Sequence, residues 1–425
     1  MSFRAVKGTR DFYPEDMRVL NWIIDGWRRV SLRNGFEEYD SPIFEYLDLF
    51  TAKSGDEIAG QLFSFTDRGG RQLAIRPETT PSLARMVNAK ISSLPRPIKW
   101  FSISRLCRAE NPQKGRLREF FQWNVDVIGE DSELADAECI FAVADFLREV
   151  GLTPDEVKIC IGSRPLTIAA LRAAGVPAEA TDAALAVLDK RPKVTPEDFD
   201  RLARGIGMTD RQIAAVRRFQ DCRSTAEVGE VLAGAGPEVR GQIDTLGRML
   251  ESLSAMGVAD YCCVDMRIVR GLAYYTGIVY EVFDSAGDLR ALAGGGRYDN
   301  LLEVLGGPRI GATGMGMGDA VLRILLEQRG KLPSTLRSGQ LEFFVVADGT
   351  GMQQQVISVV GALRAKGLSA DFSYKQQALG KQLKEANRRG AKRAVIVREA
   401  GVAVKDLKTG QQQDRATDEF LARPL

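Results

Sequence analysis

Past Pro14 the apolar residues Val19, Ile23, Trp27 and Val30 recur at intervals of three and four. That period lines one face of a helix, and a proline suits a first helical turn, so the pattern predicts a helix running toward Asn34-Gly35. Beyond Gly35 the chain becomes strand-like and turn-rich. Ile98–Cys107 and Phe120–Ile128 are rich in aromatic and β-branched residues, and the polar stretch Glu110-Asn-Pro-Gln-Lys-Gly-Arg-Leu117 lies between them. Together they predict a hairpin with a long, basic tip. Ser132–Val150 has the pattern of an amphipathic helix with an acidic first turn, and Val157–Ile161 that of a strand.

From about Leu166 to Leu253 the chain is Ala-rich and helical in period, without long β-runs, as expected of an inserted helical subdomain. Strands are expected again at Cys262–Val269 and Ile278–Phe283. Gly-rich turns then bracket a helix at Tyr298–Leu305, and Gly311–Gly318 leads into a helix from about Asp319 to Arg329. Pro333-Ser334-Thr335 marks a linker. After it, Leu341–Ala347, Gln353–Lys366, Leu368–Phe372, Leu379–Arg389 and Ala394–Val397 alternate strand and helix, and Val402–Lys405 closes a compact α/β module. The expected organisation is a core over 1–332, with its insertion at about 166–253, and a second domain over 338–425.

Composition narrows the chemistry. The 425 residues are 44% hydrophobic, enough to bury sizeable cores and too apolar for a disordered chain. No run of 18 apolar residues occurs and the first residues carry charge, so a cytoplasmic protein without a membrane span is expected. The chain has no histidine at all. That removes Ser-His-Asp and Cys-His catalysis, histidine-ligated zinc and imidazole general bases. Six cysteines form no C-x-x-C pair and read as reduced packing residues, so no bound metal site is expected. The balance of 58 basic against 56 acidic residues hides a local excess. Between Gly361 and Arg398 ten basic residues face only Asp371 and Glu385, a charge of +8 suited either to RNA phosphates or to a solvated helix face.

Arginines stand where histidines do not. Arg108 and Glu110 lie two apart at the end of the first hairpin strand, and Arg118, Phe120, Gln122, Asn124 and Asp126 share one face of the second. Such a face fits a polyanion together with a polar ligand; a solvated face with surface ion pairs is the plain alternative. Arg270-Gly-Leu-Ala-Tyr-Tyr-Thr-Gly277 offers an arginine, close backbone approach and two phenols. The runs Gly294-Gly-Gly-Arg-Tyr-Asp299 and Gly311-Ala-Thr-Gly-Met-Gly-Met-Gly318 fit neither a dinucleotide fingerprint nor a P-loop, and tight packing of a strand on a helix explains them as well as phosphate binding does.

Taken together, these segments resemble histidyl-tRNA synthetases, class II aminoacyl-tRNA synthetases, over nearly the whole chain. Lys7-Gly-Thr-Arg-Asp11 resembles that family's opening, and Gly35-Phe-Glu-Glu-Tyr-Asp-Ser-Pro42 its motif 1. Arg108-Ala-Glu110 through Asp126 resembles motif 2, Arg270–Gly277 the signature peptide and Gly311–Asp319 motif 3. The resemblance implies an α+β catalytic core with a mainly antiparallel sheet, a helical insertion, a C-terminal α/β anticodon-binding domain and a homodimer. It implies ATP as substrate with Mg²⁺, and L-histidine and tRNA(His) as partners. Arg108 would hold the ATP α-phosphate, Glu110 the adenine amino group and Phe120 the base, with Arg116 reaching the outer phosphates or the tRNA end. Glu78, Thr80 and Gln122 would hold the histidine ammonium. Asp126 and Tyr274 would read the imidazole, Tyr275 would shape its pocket, and Arg270 would stabilise charge at the α-phosphorus.

Three positions depart from the family pattern. Asp126 replaces the usual glutamate, Ala273 stands where aspartate is common, and Gly318-Asp-Ala-Val321 lacks the motif 3 arginine, with Arg323 two positions late. A synthetase-like regulatory subunit of ATP phosphoribosyltransferase is the alternative expectation. The basic C-terminal module, Arg108 and Arg270 favour the enzyme.

Overall fold

The computed structural model describes residues 3–52, 60–113, 115–270, 274–337 and 341–424. Its backbone contacts divide the chain into two units, one ending at Leu332 and the other beginning at Pro333.

The first unit is built on an eight-stranded sheet. Its strands run in the spatial order Glu37–Glu38, Ile98–Cys107, Glu119–Ile128, Ala312–Gly318, Ala293–Arg297, Ile278–Asp284, Val157–Ser163 and Cys262–Val264. Pairing is parallel only at the two ends and antiparallel between. The helices Pro14–Arg33 and Glu133–Glu149 cover one face of this sheet. Alternation along Glu119–Ile128 sends Trp123, Val125 and Val127 into that layer, where Trp123 stacks on Trp27 at 6.2 Å. The Trp123 indole N–H donates to Ser31 Oγ at 2.8 Å, so the ring's one polar atom is satisfied in the core.

The glycine runs expected as turns are central strands. Gly295 pairs with both Tyr280 and Met315, and a Cβ there would stand 2.6 Å from the Tyr280 hydroxyl and overlap the Gly314 carbonyl. Glycine ordinarily weakens a strand, and here close approach of neighbouring side chains overrides that preference. The helix after this run is correspondingly short, Leu301–Val304, and the expected strand Cys262–Val269 ends at Val264.

The segment from Arg164 to Ala255 contains helices and no strand. Thr195, Thr209 and Ser224 accept backbone N–H bonds at its helix starts. Leu171, Leu188, Phe199, Ile213 and Val216 form a core of its own, but Leu166, Phe219, Val228, Leu246 and Leu253 join the core beneath the sheet. The insertion is therefore half fused to the main body.

In the second unit a five-stranded sheet runs in the order Ala370–Phe372, Phe343–Ala347, Arg393–Arg398, Gly401–Asp406 and Gln412–Arg415. The strand Gln412–Arg415 and the helix Thr417–Ala422 extend the series past the expected end, and Phe420 is buried against Phe343. No described helix is long and apolar enough to cross a membrane.

Gly295→Ala is expected to destabilise the protein by about 1–3 kcal/mol in denaturant unfolding, through forced displacement of Tyr280 or the neighbouring strand. Gly229→Ala, in the helix Thr225–Val231 with open space around its Cβ position, should be neutral or slightly stabilising. Equal effects would show that backbone freedom, not close approach, governs Gly295.

Candidate active site

The other face of the main sheet carries the candidate site residues. On Glu119–Ile128 the alternation that buries Trp123 turns Gln122, Asn124 and Asp126 the other way. Asp126 pairs in register with Gly314, and Asn124 with Gly316. A Cβ at Gly314 would overlap the Asp126 carboxylate, one at Gly316 the Gln122 amide, and one at Gly294 the Arg270 guanidinium. Bare backbone in two adjacent strands thus leaves room for side chains that reach across from their neighbours.

The result is a cavity of about 200 Å³ lined by Glu78, Thr80, Arg108, Gln122, Asn124, Asp126, Arg270, Tyr274, Tyr275 and Tyr298, with Ala291–Gly294, Gly314–Gly316 and Gly318. Eight of the site residues expected from sequence therefore meet in one place. The other three, Glu110, Arg116 and Phe120, do not line it. Phe120 lies beside it, with the Arg108 guanidinium 5.2 Å from its ring centroid. Glu110 and Arg116 are paired with each other across the hairpin tip. Lys114 in that tip, and Gly271–Ala273 of the signature peptide, lie outside the described residues.

Two carboxylates and two arginines meet in it, and Glu78 lies beside Arg108. Asp126 accepts a hydrogen bond from the Tyr298 hydroxyl at 2.5 Å through one oxygen, while its other oxygen, also buried, has no partner among the described residues. Burial pushes its carboxyl up to about 7, against the Tyr298 bond and with help from Glu78. Glu78 accepts from the Tyr274 hydroxyl at 2.9 Å. Burial raises its pKa too, and Arg108 and Tyr274 work against that rise.

Arg108 donates through Nε to the Pro77 carbonyl at 3.0 Å. Burial lowers its pKa, Glu78 and Tyr274 oppose this, and Arg270 and Arg290 repel it. Arg270 donates to Glu281 Oε1 at 2.5 Å and lies 5.8 Å from the Tyr275 ring centroid. Burial opposes its charge, but Tyr275 and Glu281 more than offset this and keep it firmly cationic. Among the described non-glycine residues it alone has a positive φ, 60°. That conformation costs about 1–3 kcal/mol and is held by the contacts of the guanidinium.

Tyr298, Glu281 and Arg290 escaped the sequence reading as site residues. The run Gly294–Asp299 signalled Tyr298, but only the register shows that it reaches Asp126. Arg290 is exposed beside the lining backbone of Ala291 and Leu292 and makes no hydrogen bond or ion pair among the described residues. At the position lacking an arginine, Val321 is buried, and a Cβ on Gly115 would meet it at 2.9 Å. Arg323 is engaged by Asp16 at 2.8 Å and Glu327 at 2.9 Å.

Comparison with known proteins places the sequence in a family. The family model described as histidyl-tRNA synthetase matches residues 8–318, and one described as an anticodon binding domain matches 342–423. The chain belongs to the histidyl-tRNA synthetase family. It is 41% identical over 397 residues to the histidine–tRNA ligase of Opitutus terrae, covering 93% of this chain and 90% of that one. It is 38% identical over 411 residues to the chloroplastic/mitochondrial histidine–tRNA ligase of Arabidopsis thaliana, covering 96% and 83%. A histidyl-tRNA synthetase from Nostoc sp. PCC 7120 has the same fold over 100% of both chains, at a TM-score of 0.81 and 23% identity. A Bacillus halodurans structure described as an ATP phosphoribosyltransferase regulatory subunit/histidyl-tRNA synthetase shares that fold at a TM-score of 0.75 and 22% identity, over 93% and 98% of the two chains. The α+β core with its C-terminal α/β unit is thus the fold of histidyl-tRNA synthetases.

The Asp126 shift makes a prediction for this family member without ligands. Between the ordinary aspartate value of about 3.9 and the folded value of about 7, the folded state holds a proton that the unfolded state has lost. Stability therefore falls as pH rises through that window. Asp126→Asn removes this contribution, so its Tm should match the parent near about pH 4 and exceed it by several degrees near about pH 8. A Tm difference that is the same at both pH values would mean that Asp126 does not titrate in the folded protein.

Proposed function

We propose that the cavity binds L-histidine and MgATP, joins them as histidyl-adenylate, and passes the histidyl group to tRNA(His). The observation that carries this is a single cavity that brings two buried carboxylates, Glu78 and Asp126, together with two arginines, Arg108 and Arg270, in a chain of the histidyl-tRNA synthetase family. Glu78, Thr80 and Gln122 would take the ammonium group. The unpartnered oxygen of Asp126 would accept an imidazole N–H, Tyr274 would face the second ring nitrogen, and Tyr275 would close the side. An amino acid without those ring nitrogens would leave the second oxygen of Asp126 buried and unpaired, which is the basis of strong discrimination.

The chemistry asks little of the protein by way of proton transfer. Histidine's carboxylate is already ionised; it attacks the α-phosphorus and pyrophosphate leaves. Arg108 on the α-phosphate and Arg270 against the developing charge would supply positioning and neutralisation in a partly desolvated site. Mg²⁺ accompanying ATP would neutralise part of the charge on its phosphates. Phe120, beneath Arg108, would carry the adenine ring. For Glu110 to meet the adenine amino group and Arg116 the outer phosphates or the tRNA end, their mutual ion pair must open.

The 1–332 region is proposed as the catalytic core and 338–425 as the anticodon-binding domain. In the latter, Arg398 is paired with Asp348 and Asp414, and Arg389 with Asp371. Lys375, Lys381, Lys384 and Arg388 instead line one cavity with the exposed ring of Tyr374, a suitable surface for an RNA backbone and an unstacked base. A homodimer is proposed from the exposed Ile43, Phe44, Tyr46 and Phe65 around the three-stranded sheet of Phe44–Tyr46, Gln72–Ile75 and Phe63–Thr66. The cytoplasm, where charged tRNA is used, is the proposed location.

Pyrophosphate exchange into ATP, run with each of the twenty amino acids, is expected with histidine alone. No exchange, with histidine still binding, would favour the regulatory-subunit alternative. Arg270→Ala should slow adenylate formation by about 10²–10³-fold and change histidine binding far less, and equal losses would reject its transition-state role. Arg290→Ala should raise the KM for ATP roughly tenfold and leave the KM for histidine unchanged, the cost of about 1.4 kcal/mol expected for one exposed phosphate contact. An unchanged KM for ATP would exclude Arg290 from the nucleotide site.

A further inference from the structure

On the edge of the main sheet away from the hairpin, two thiols face each other. Val157–Ser163 and the edge strand Cys262–Val264 run parallel with Cys160 opposite Cys263. Directly paired residues of neighbouring strands have Cα atoms about 5 Å apart, inside the window of about 4.4–6.8 Å that a disulfide spans. The two Sγ atoms are 3.1 Å apart, and both cysteines are free and half-buried. They share a cavity of about 560 Å³ with Lys158, Arg223, Asp265 and Arg267, so a small solute can reach them.

The surroundings separate this pair from the other cysteines. One proton shared between the sulfurs lowers the Cys263 thiol and raises that of Cys160; Lys158 and Arg223 favour the Cys263 thiolate, while burial and Asp265 oppose it. Cys262, next in sequence, pairs with Ile159 and has its thiol pushed up to about 12 by burial. Burial also raises the thiols of Cys107, Cys139 and Cys222.

We propose that Cys160 and Cys263 are an oxidisable dithiol that closes to a reversible disulfide when the protein meets a hydroperoxide. The Cys263 thiolate attacks one peroxide oxygen, the O–O bond breaks, and the departing hydroxide takes a proton to become water. The Cys160 sulfur then attacks the Cys263 sulfenic acid; the S–S bond forms, the S–O bond breaks, and water leaves with the Cys160 proton. The two thiols lose two electrons, and hydrogen peroxide is reduced to two waters. A dithiol reductant reverses the step. The bridged residues are 103 apart in sequence, and every helix from Arg164 to Ala255 lies between them. Oxidation therefore pins both ends of the helical insertion to the sheet.

The test uses the full, folded chain, reduced, freed of reductant and treated with hydrogen peroxide. Its thiols are counted after denaturation, and its peptides are mapped by mass. Two of the six thiols should disappear, a single linked peptide should join Cys160 to Cys263, and dithiothreitol should restore all six. Cys262→Ser should form the same link. Retention of all six thiols, a link through Cys262, or sulfinic acid at Cys263 without a link would each overturn the proposal.

Discussion

The site depends on a constraint of empty space. Gly294 and Gly296 on one strand and Gly314 and Gly316 on the next offer bare backbone to the face where Asp126, Gln122, Arg270 and Tyr275 reach across. Any side chain there would overlap one of these reaching groups or the neighbouring backbone. Gly295, between them, answers to the opposite face, where Tyr280 fills the core under the sheet. A strand so poor in side chains contributes little packing of its own and depends on its neighbours for order.

Those neighbours are fixed by ion pairs that tie distant segments together. Arg297, at the end of one glycine strand, donates to Asp136 of the covering helix at 2.7 Å and also reaches the carbonyls of Glu130 and Ser132. Asp319, at the end of the other, accepts from Arg10 at 2.7 Å and from the Phe121 amide at 2.8 Å. The N-terminal segment, the hairpin strand and the helix after the second glycine strand thus meet at one buried carboxylate. Removing either partner of such a pair leaves a charge uncompensated in the core, which is strongly destabilising.

Period and turn chemistry made much of the fold legible. The helix Pro14–Arg33, the hairpin strands and the alternating C-terminal elements follow from residues such as Ile23, Trp27 and Trp123, whose local preference agrees with their burial. The glycine strands were not legible, because their reason is non-local: nothing in the sequence near Gly314 says that Asp126 will face it. For the same reason Arg108, Gln122 and Asp126 were visible as candidates on their strands, whereas Tyr298 and Glu281 needed the register. The helical character of the insertion was legible, but how much of it packs on the main sheet was not, since Leu246 and Leu253 look alike in sequence whether they pack on their own subdomain or on the sheet.

The absence of histidine divides the cavity by chemistry. At the proposed phosphate end, Arg108 and Arg270 carry fixed charge, and a carboxylate attacking phosphorus needs no proton removed. That end can therefore work without a titrating group. Asp126, the group whose pKa of about 7 falls near neutrality, lies instead at the proposed recognition end, held by Tyr298. There the ligand's own imidazole, with an ordinary pKa of about 6.5, would bring the second titrating partner. Seating the ring against Asp126 would couple the two titrations, so the proton would belong to the pair and to neither group alone. Proton exchange would thus be confined to reading the substrate and kept away from the bond being made.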